Sequence, residues 1–247
     1  MEAKVFKLYN DTIEIKFREN PYHSYWLNDK RIPDSVTGAT GIVDKSGPLM
    51  YWAVNKSRDY LLDIIKKGIV SEDDILEASK QHRIFKKKAG DIGTKIHEWV
   101  SDWILKKNPE MPEDPKVVNG ITAFLKFQKE HKVKWTESER IVYSKKHNYC
   151  GFLDAMGTID GELWLIDFKS SKGIYPPMHF QVGGYQIAWE EEMKKKVDRR
   201  MILKFGKEDG SFEAKELPKE EEKADKKAFL SCLDIKRRVK ALDTYNK

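Results

Sequence analysis

An α/β (α+β) chain with a mixed central sheet flanked by helices is the fold class the sequence predicts, and three observations predict it. Residues 139–169 hold strand-like apolar runs, two of them joined by an Asp-Gly turn. A helix-period segment follows at 176–196 and another apolar run at 200–205, the strand–helix–strand order of a crossover unit. Segments of helical period occupy residues 48–131 and 219–242 on either side.

The elements are justified in order. Val5 to Tyr9 and Ile13 to Phe17 flank the turn-prone Asn10-Asp11, and the second run alternates apolar and charged like a half-buried strand. His23 to Leu27 adds a third strand before Asn28-Asp29. Ser46 is the expected cap of a helix from Pro48 to Lys67, stopped by Gly68. Ser71 with Asp74 three residues on opens a helix to about Lys88. An interruption is expected at Ala89-Gly90-Asp91. A further helix then places Ile92, Ile96, Trp99, Val100, Trp103 and Ile104 on one side and ends at Asn108-Pro109. Pro115 starts another, ending near His131.

The centre is β. Glu139 to Ser144 and Tyr149 to Ile159 are strands, and Asp160-Gly161 is a hairpin turn into Glu162 to Lys169. Pro176-Pro177 introduces a helix to about Lys196. Arg200 to Phe205 and Ser211 to Leu217 are strands around a turn at 206–210, and a charged helix follows from about Lys219 to Leu242. Two segments of one structural unit are drawn from this order: residues 1–90, strands and helices packed on the core, and residues 91–247, the core with its C-terminal helix.

Hydrophobic residues make up 40% of the 247, enough for a packed core and against wholesale disorder. The net charge of +6 favours a polyanion partner through counterion release. The runs Lys86 to Lys88 and Lys194 to Lys196 read equally well as solvated helix faces. Two distant cysteines, Cys150 and Cys232, exclude a disulfide framework and an iron–sulfur cluster built within the chain, and fit a reducing cytoplasmic setting. Met1 to Asn10 lacks the apolar run of a signal peptide, and no stretch approaches the roughly 18 apolar residues of a membrane span, so no membrane partner is expected.

The chemistry is expected at one end of the central sheet. Alternation points Asp167 and Lys169 the same way and Phe168 into the opposite layer. Taken alone, the tripeptide is a surface ion pair. Pairing about the Asp160-Gly161 turn brings Asp154 opposite Asp167, within a residue or so, and two adjacent carboxylates repel unless a cation separates them. Oxygen ligands of this type suit Mg²⁺ or Mn²⁺, and the Phe168 carbonyl lies beside them. Gly93 and His97 stand one helical turn apart on a shared face. Gln181 and Tyr185 form an i, i+4 pair on the next helix, with polar tips expected along one edge, toward a DNA phosphate or Lys169. The paired carboxylates beside Lys169 favour a metal, whereas for His97 alone, or for Gln181 and Tyr185 alone, a core or surface role is the better reading.

Together they resemble a known family. Gly93-Thr94-x-x-His97, Gly151-x-x-Asp154, Asp167-Phe168-Lys169 and Gln181-x-x-x-Tyr185 stand in the order of the RecB-type nucleases of the PD-(D/E)XK superfamily, which includes the mitochondrial genome maintenance exonuclease and nucleases of CRISPR systems. The match spans about Gly93 to Phe205. Ile32 to Thr37 and Leu49 to Ala53 are more loosely similar to phage-type members. The resemblance implies a restriction-endonuclease-like core with an N-terminal β-hairpin and helical extension. It implies that His97, Asp154, Asp167 and the Phe168 carbonyl bind the metal. Lys169 would stabilise the transition state or position the attacking water, Gln181 and Tyr185 would support the site and the DNA backbone, and Glu139 would stand behind as a further acid. The implied activity is DNA phosphodiester hydrolysis, by an exonuclease on linear or single-stranded DNA in recombination, repair or phage DNA processing, with a recombination or replication protein as a possible partner.

This chain departs from several relatives in lacking four cluster-forming cysteines, and Gly183-Gly184 is unusual inside a helix, either admitting DNA backbone or weakening the helix. Tyr22, Tyr25 and Trp26 are candidates for stacking on bases. The rival readings are an inactive DNA-binding or assembly module that kept the fold, and a basic adaptor whose Asp-x-Lys is only an ion pair.

Overall fold

A computed structural model describes residues 3–19 and 23–245. The chain divides into two compact units, one of residues 1–43 and 97–247 and the other of residues 44–96. The N-terminal strands share a core with the central sheet, so they belong to the larger unit.

In that larger unit, β1 (Lys4–Leu8), β2 (Ile13–Arg18), β3 (Ser24–Leu27) and β4 (Lys30–Ile32) form an antiparallel sheet in sequence order. Two of its turns are held by left-handed residues, Tyr9 to Asp11 and Asn28-Asp29, the Asn/Asp chemistry that tolerates positive φ. Leu8, Ile15, Phe17, Tyr25 and Ile32 pack on Ile141, Tyr143 and Cys150 of the central sheet. Phe152 sits edge-on to both Phe6 and Phe17. A short helix, α1 (Val36–Thr40), follows, capped by the Ser35 hydroxyl accepting from the Gly38 amide.

The central sheet has five strands in sequence order: β5 (Lys134–Ser144), β6 (Tyr149–Ile159), β7 (Glu162–Lys169), β8 (Arg199–Phe205) and β9 (Phe212–Leu217). All pairs are antiparallel except β7 with β8, which are parallel and joined through a helix, as a crossover requires. Asp160 and Gly161 both have positive φ, the two-residue turn that suits a twisted hairpin.

Two layers cover this sheet. The crossover helix α5 (Pro176–Met193), α1 and the terminal helix α6 (Glu222–Tyr245) bury Val142, Leu153, Leu163, Leu165 and Ile202. Across the sheet, Phe124 of α4 (Pro115–His131) meets Trp135, Phe168 and Phe205 in a cluster of edge and tilted rings. Asp114 caps α4, with Pro115 at its first position.

The smaller unit holds α2 (Ser46–Ile65) and the first part of α3 (Glu72–Ile104). Its Ser71–Asp74 capping box forms as expected, the Asp74 amide donating to the Ser71 hydroxyl and the Ser71 amide to the Asp74 carboxylate. At the start of α2, Asp44 rather than Ser46 accepts the first amide. The expected break at Ala89-Gly90-Asp91 is absent, and α3 runs through it. A lone helical Gly costs about 1 kcal/mol against Ala, too little to stop a helix without a proline or a cap. None of the helices among the described residues is long and apolar enough to cross a membrane.

Candidate metal centre

Three elements of the larger unit meet at one end of β6 and β7. α3 supplies His97, which shares a helix face with the buried Val100 and Ile104 at i+3 and i+7. The apolar stripe fixes the helix rotation, and the imidazole goes with it.

The β6–β7 hairpin pairs from Ile159↔Glu162 to Ala155↔Ile166. One step further in that register, Asp154 stands level with Asp167, as the turn predicted. The ladder does not continue past them. The Phe168 amide donates instead to Asp154 Oδ2 at 2.6 Å. A side chain thus takes the place of a strand carbonyl where the strands part.

Asp154 Oδ1 lies 3.6 Å from His97 Nδ1. That is too long for a hydrogen bond. Glu139 completes the group, and one ligand atom each from His97, Glu139 and Asp154 lies within 4.8 Å of the other two. On β5 the pairs Ser138↔Ala155 and Arg140↔Leu153 bracket Glu139, setting it across from Asp154. Its backbone is left-handed, φ 47°, close to a register shift between Trp135 and Glu137. Such a conformation is unfavourable for a residue with a Cβ, and strain of this type gathers at functional positions.

Asp167 is fully buried. Its Oδ2 forms an ion pair with Lys169 Nζ at 2.5 Å, and neither carboxylate oxygen has a partner in hydrogen-bond geometry. Phe168, between them, packs into the aromatic layer beneath, as alternation required. The His97 ring stands edge-on to it at 6.0 Å.

The charges are unevenly held. Burial pushes Glu139 up to about 7, with the Asp154 carboxylate adding to the rise. Burial likewise lifts Asp167 to about 6, against the pull of Lys169 and with the push of Asp154. Burial opposes ionisation of Asp154 too, but His97, Lys169 and the Phe168 amide outweigh it and hold that carboxyl below its ordinary value. For His97 and Lys169, burial acts downward and the neighbouring carboxylates overcome it, so both are raised. Several carboxylates therefore compete for too little positive charge. The His97 imidazole with the Asp154 and Glu139 carboxylates offers one nitrogen and two oxygens to a divalent cation, whereas Asp167 is held on Lys169 and stands outside that group among the described residues.

The helix α5 brings Gln181 and Tyr185 nearby. Gln181 Nε2 donates to the Tyr185 hydroxyl at 2.8 Å. Tyr185 is buried rather than emerging at an edge, and burial with the Asp167 and Asp154 charges raises its hydroxyl well above its ordinary value. Gly151 makes room for it, because a Cβ there would meet the Tyr185 ring at 2.7 Å. Gly183 and Gly184 serve helix packing rather than DNA approach or a weak point. A Cβ on Gly184 would lie 2.6 Å from the Phe229 ring, and one on Gly183 3.0 Å from the α6 backbone. Tyr25 is buried among Phe17 and Phe152, which removes it as a stacking platform. Trp26 is partly exposed with the Arg18 guanidinium over its ring, and Tyr22 lies outside the described residues.

Glu139 is nearer the centre than the sequence suggested. The link from β5 to β6 is longer than a two-residue turn, so the register that sets Glu139 against Asp154 could not be counted from it. No family model matches the sequence. No curated protein matches it either.

Proposed function

We propose that the chain is a divalent-metal-dependent deoxyribonuclease, an exonuclease hydrolysing phosphodiester bonds of linear or single-stranded DNA. One observation carries the reading: Asp154 and Asp167 stand level where β6 and β7 part, with His97 on one side and Lys169 on the other. The spacing of the sequence motifs, which resembles the RecB-type nucleases, supports the same reading, as does the chain's basic balance.

His97, Asp154, Asp167 and the Phe168 carbonyl would hold Mg²⁺ or Mn²⁺. When bound, the cation supplies Lewis-acid polarisation of the phosphate and a more acidic water. The protein supplies the rest. The Phe168 amide fixes the Asp154 carboxylate in place. Asp167 and Asp154 keep Lys169 protonated, so its ammonium offsets negative charge as it grows on the scissile phosphate. Gln181 holds the buried Tyr185 hydroxyl, which feels the Asp167 and Asp154 charges, so the pair would support the site from α5.

The test is incubation with end-labelled single-stranded, duplex and closed circular DNA in Mg²⁺, Mn²⁺ and EDTA. Metal-dependent loss of linear DNA, with circles spared, is the expected result. Binding of DNA without cutting in any metal would favour an inactive DNA-binding module.

A further inference from the structure

The motif-based ligand set leaves Glu139 without a role at the cation, and the structure brings it among the donors. We infer that Glu139 is a direct metal ligand, and that with His97 and Asp154 it forms a nitrogen–oxygen–oxygen face that binds Mn²⁺ in preference to Mg²⁺. The inference rests on the reading of this centre as a metal site.

Geometry is the first support. Donor atoms around one ion, at bond lengths of about 2.1 Å, stand roughly 3.0–3.5 Å apart when adjacent. His97 Nδ1 and Asp154 Oδ1 are 3.6 Å apart, the spacing of two ligands rather than of a hydrogen-bonded pair. A donor atom of Glu139 joins them within 4.8 Å, a span that a modest side-chain contraction closes. Register is the second. Asp154 is fixed by the Phe168 amide, and the pairs on either side set Glu139 of β5 across from it, in the one left-handed backbone conformation of that strand. Among the described residues, the Glu139 carboxylate makes no ion pair or hydrogen bond, and the His97 and Lys4 charges act on it only through space.

The donor set decides the metal. Mg²⁺ keeps several waters and takes one or two carboxylates, whereas an imidazole nitrogen with several fixed protein donors favours transition ions. Glu139 raises the number of protein donors, so it should strengthen Mn²⁺ binding more than Mg²⁺ binding.

The experiment is calorimetric titration of Mn²⁺ and of Mg²⁺ into the full chain without DNA, with Mn²⁺ resonance spectra as a second readout. Wild type, Glu139→Gln and Glu98→Gln are compared, with far-UV dichroism to establish folding. Glu98 is an exposed acid whose charge reaches Glu139, so its neutral variant reports the effect of local charge without ligation. Wild type should bind Mn²⁺ more tightly than Mg²⁺. Glu139→Gln should weaken Mn²⁺ by about tenfold or more and narrow the gap between the metals, while Glu98→Gln changes either by less than about threefold. Should Glu139→Gln misfold, His97→Asn with Glu139→Asp replaces it, and partial retention in Glu139→Asp supports ligation. Mn²⁺ binding in Glu139→Gln equal to wild type, or equal losses in Glu139→Gln and Glu98→Gln, overturns the inference. Metal-dependent DNA cutting by wild type alongside either result leaves the nuclease reading standing. A wild type that binds Mn²⁺ through Glu139 but cuts no DNA does the reverse.

Discussion

The amide of Phe168 donates to the carboxylate of Asp154 across the mouth of the β6–β7 hairpin, 2.6 Å from nitrogen to oxygen. The bond ties the backbone of the Asp167-Phe168-Lys169 strand to the acid opposite. It also leaves Asp154 Oδ1 turned toward His97. One residue thus ends the ladder and orients the site.

Asp154→Asn tests that double role. The amide oxygen of Asn can still accept from Phe168, so folding should persist with a loss of no more than about 1–2 kcal/mol, read by urea melts. The anionic donor beside His97 is gone, and DNA cleavage should fall by about a thousandfold or more in single-turnover assays. Cleavage near the wild-type rate would remove Asp154 from the centre.

Lys169→Met separates chemistry from metal capture. The ammonium is a like charge to the cation, so its removal should leave Mn²⁺ binding as tight as in wild type or tighter. Cleavage should nevertheless drop by about 10²–10⁴-fold, because the charge that answers the growing phosphate charge is lost. In the absence of metal, buried Asp167 then loses its ion-pair partner at 2.5 Å, with a stability cost of about 1–3 kcal/mol that bound Mn²⁺ would offset. Weakened Mn²⁺ binding in this variant would mean that Lys169 organises the ligands instead.

Much of this centre was legible because its register hangs on local rules. Asp160-Gly161 permits positive φ at both positions, and counting back from it sets Asp154 against Asp167. Alternation then sends Phe168 to the aromatic layer. The sequence was silent where geometry came from tertiary contact. The β5–β6 link has no two-residue turn to count from, so the place of Glu139 was hidden. Residues 36–40 are too few to show a helical period, and α1 is set by packing of Val36 and Ala39 into the core. The glycines of α5 looked like a ligand approach because nothing local announces Phe229 of α6, far along the chain.

Without metal, stability should fall as pH rises from about 5 to 8. Glu139, at about 7, and Asp167, at about 6, hold protons more tightly folded than unfolded, and His97 is raised as well. Each contribution is full below the unfolded-state value and disappears as pH passes the folded-state value. Asp154, shifted the other way, acts only at lower pH. Burial lowers His147 and His179 and gives them the opposite slope, so the reading is taken as a difference from Glu139→Gln. In EDTA the melting temperature of wild type should drop more steeply over this range than that of the variant. Saturating Mn²⁺ should raise the wild-type value by several degrees at pH 8 and by little at pH 5, where protons hold the same oxygens. Parallel melting curves for the two proteins in EDTA would mean that Glu139 is not strained by its neighbours.

Gly184→Ala separates the fold from the site. The added methyl would stand 2.6–2.8 Å from three carbons of the Phe229 ring, and the Tyr149 hydroxyl already donates to the Gly184 carbonyl at 2.7 Å, so α5 cannot slide away freely. Ala is otherwise favoured over Gly in a helix by about 1 kcal/mol, and the sign of the change therefore reports the clash alone. Overpacking at a fixed ring should win, destabilising the protein by about 1–3 kcal/mol in urea or thermal melts. Phe229→Leu in the same chain should recover part of the loss by opening space for the methyl, with Mn²⁺ affinity unchanged in both proteins. A stabilised Gly184→Ala would show that α6 stands further from α5 than the ring contact requires.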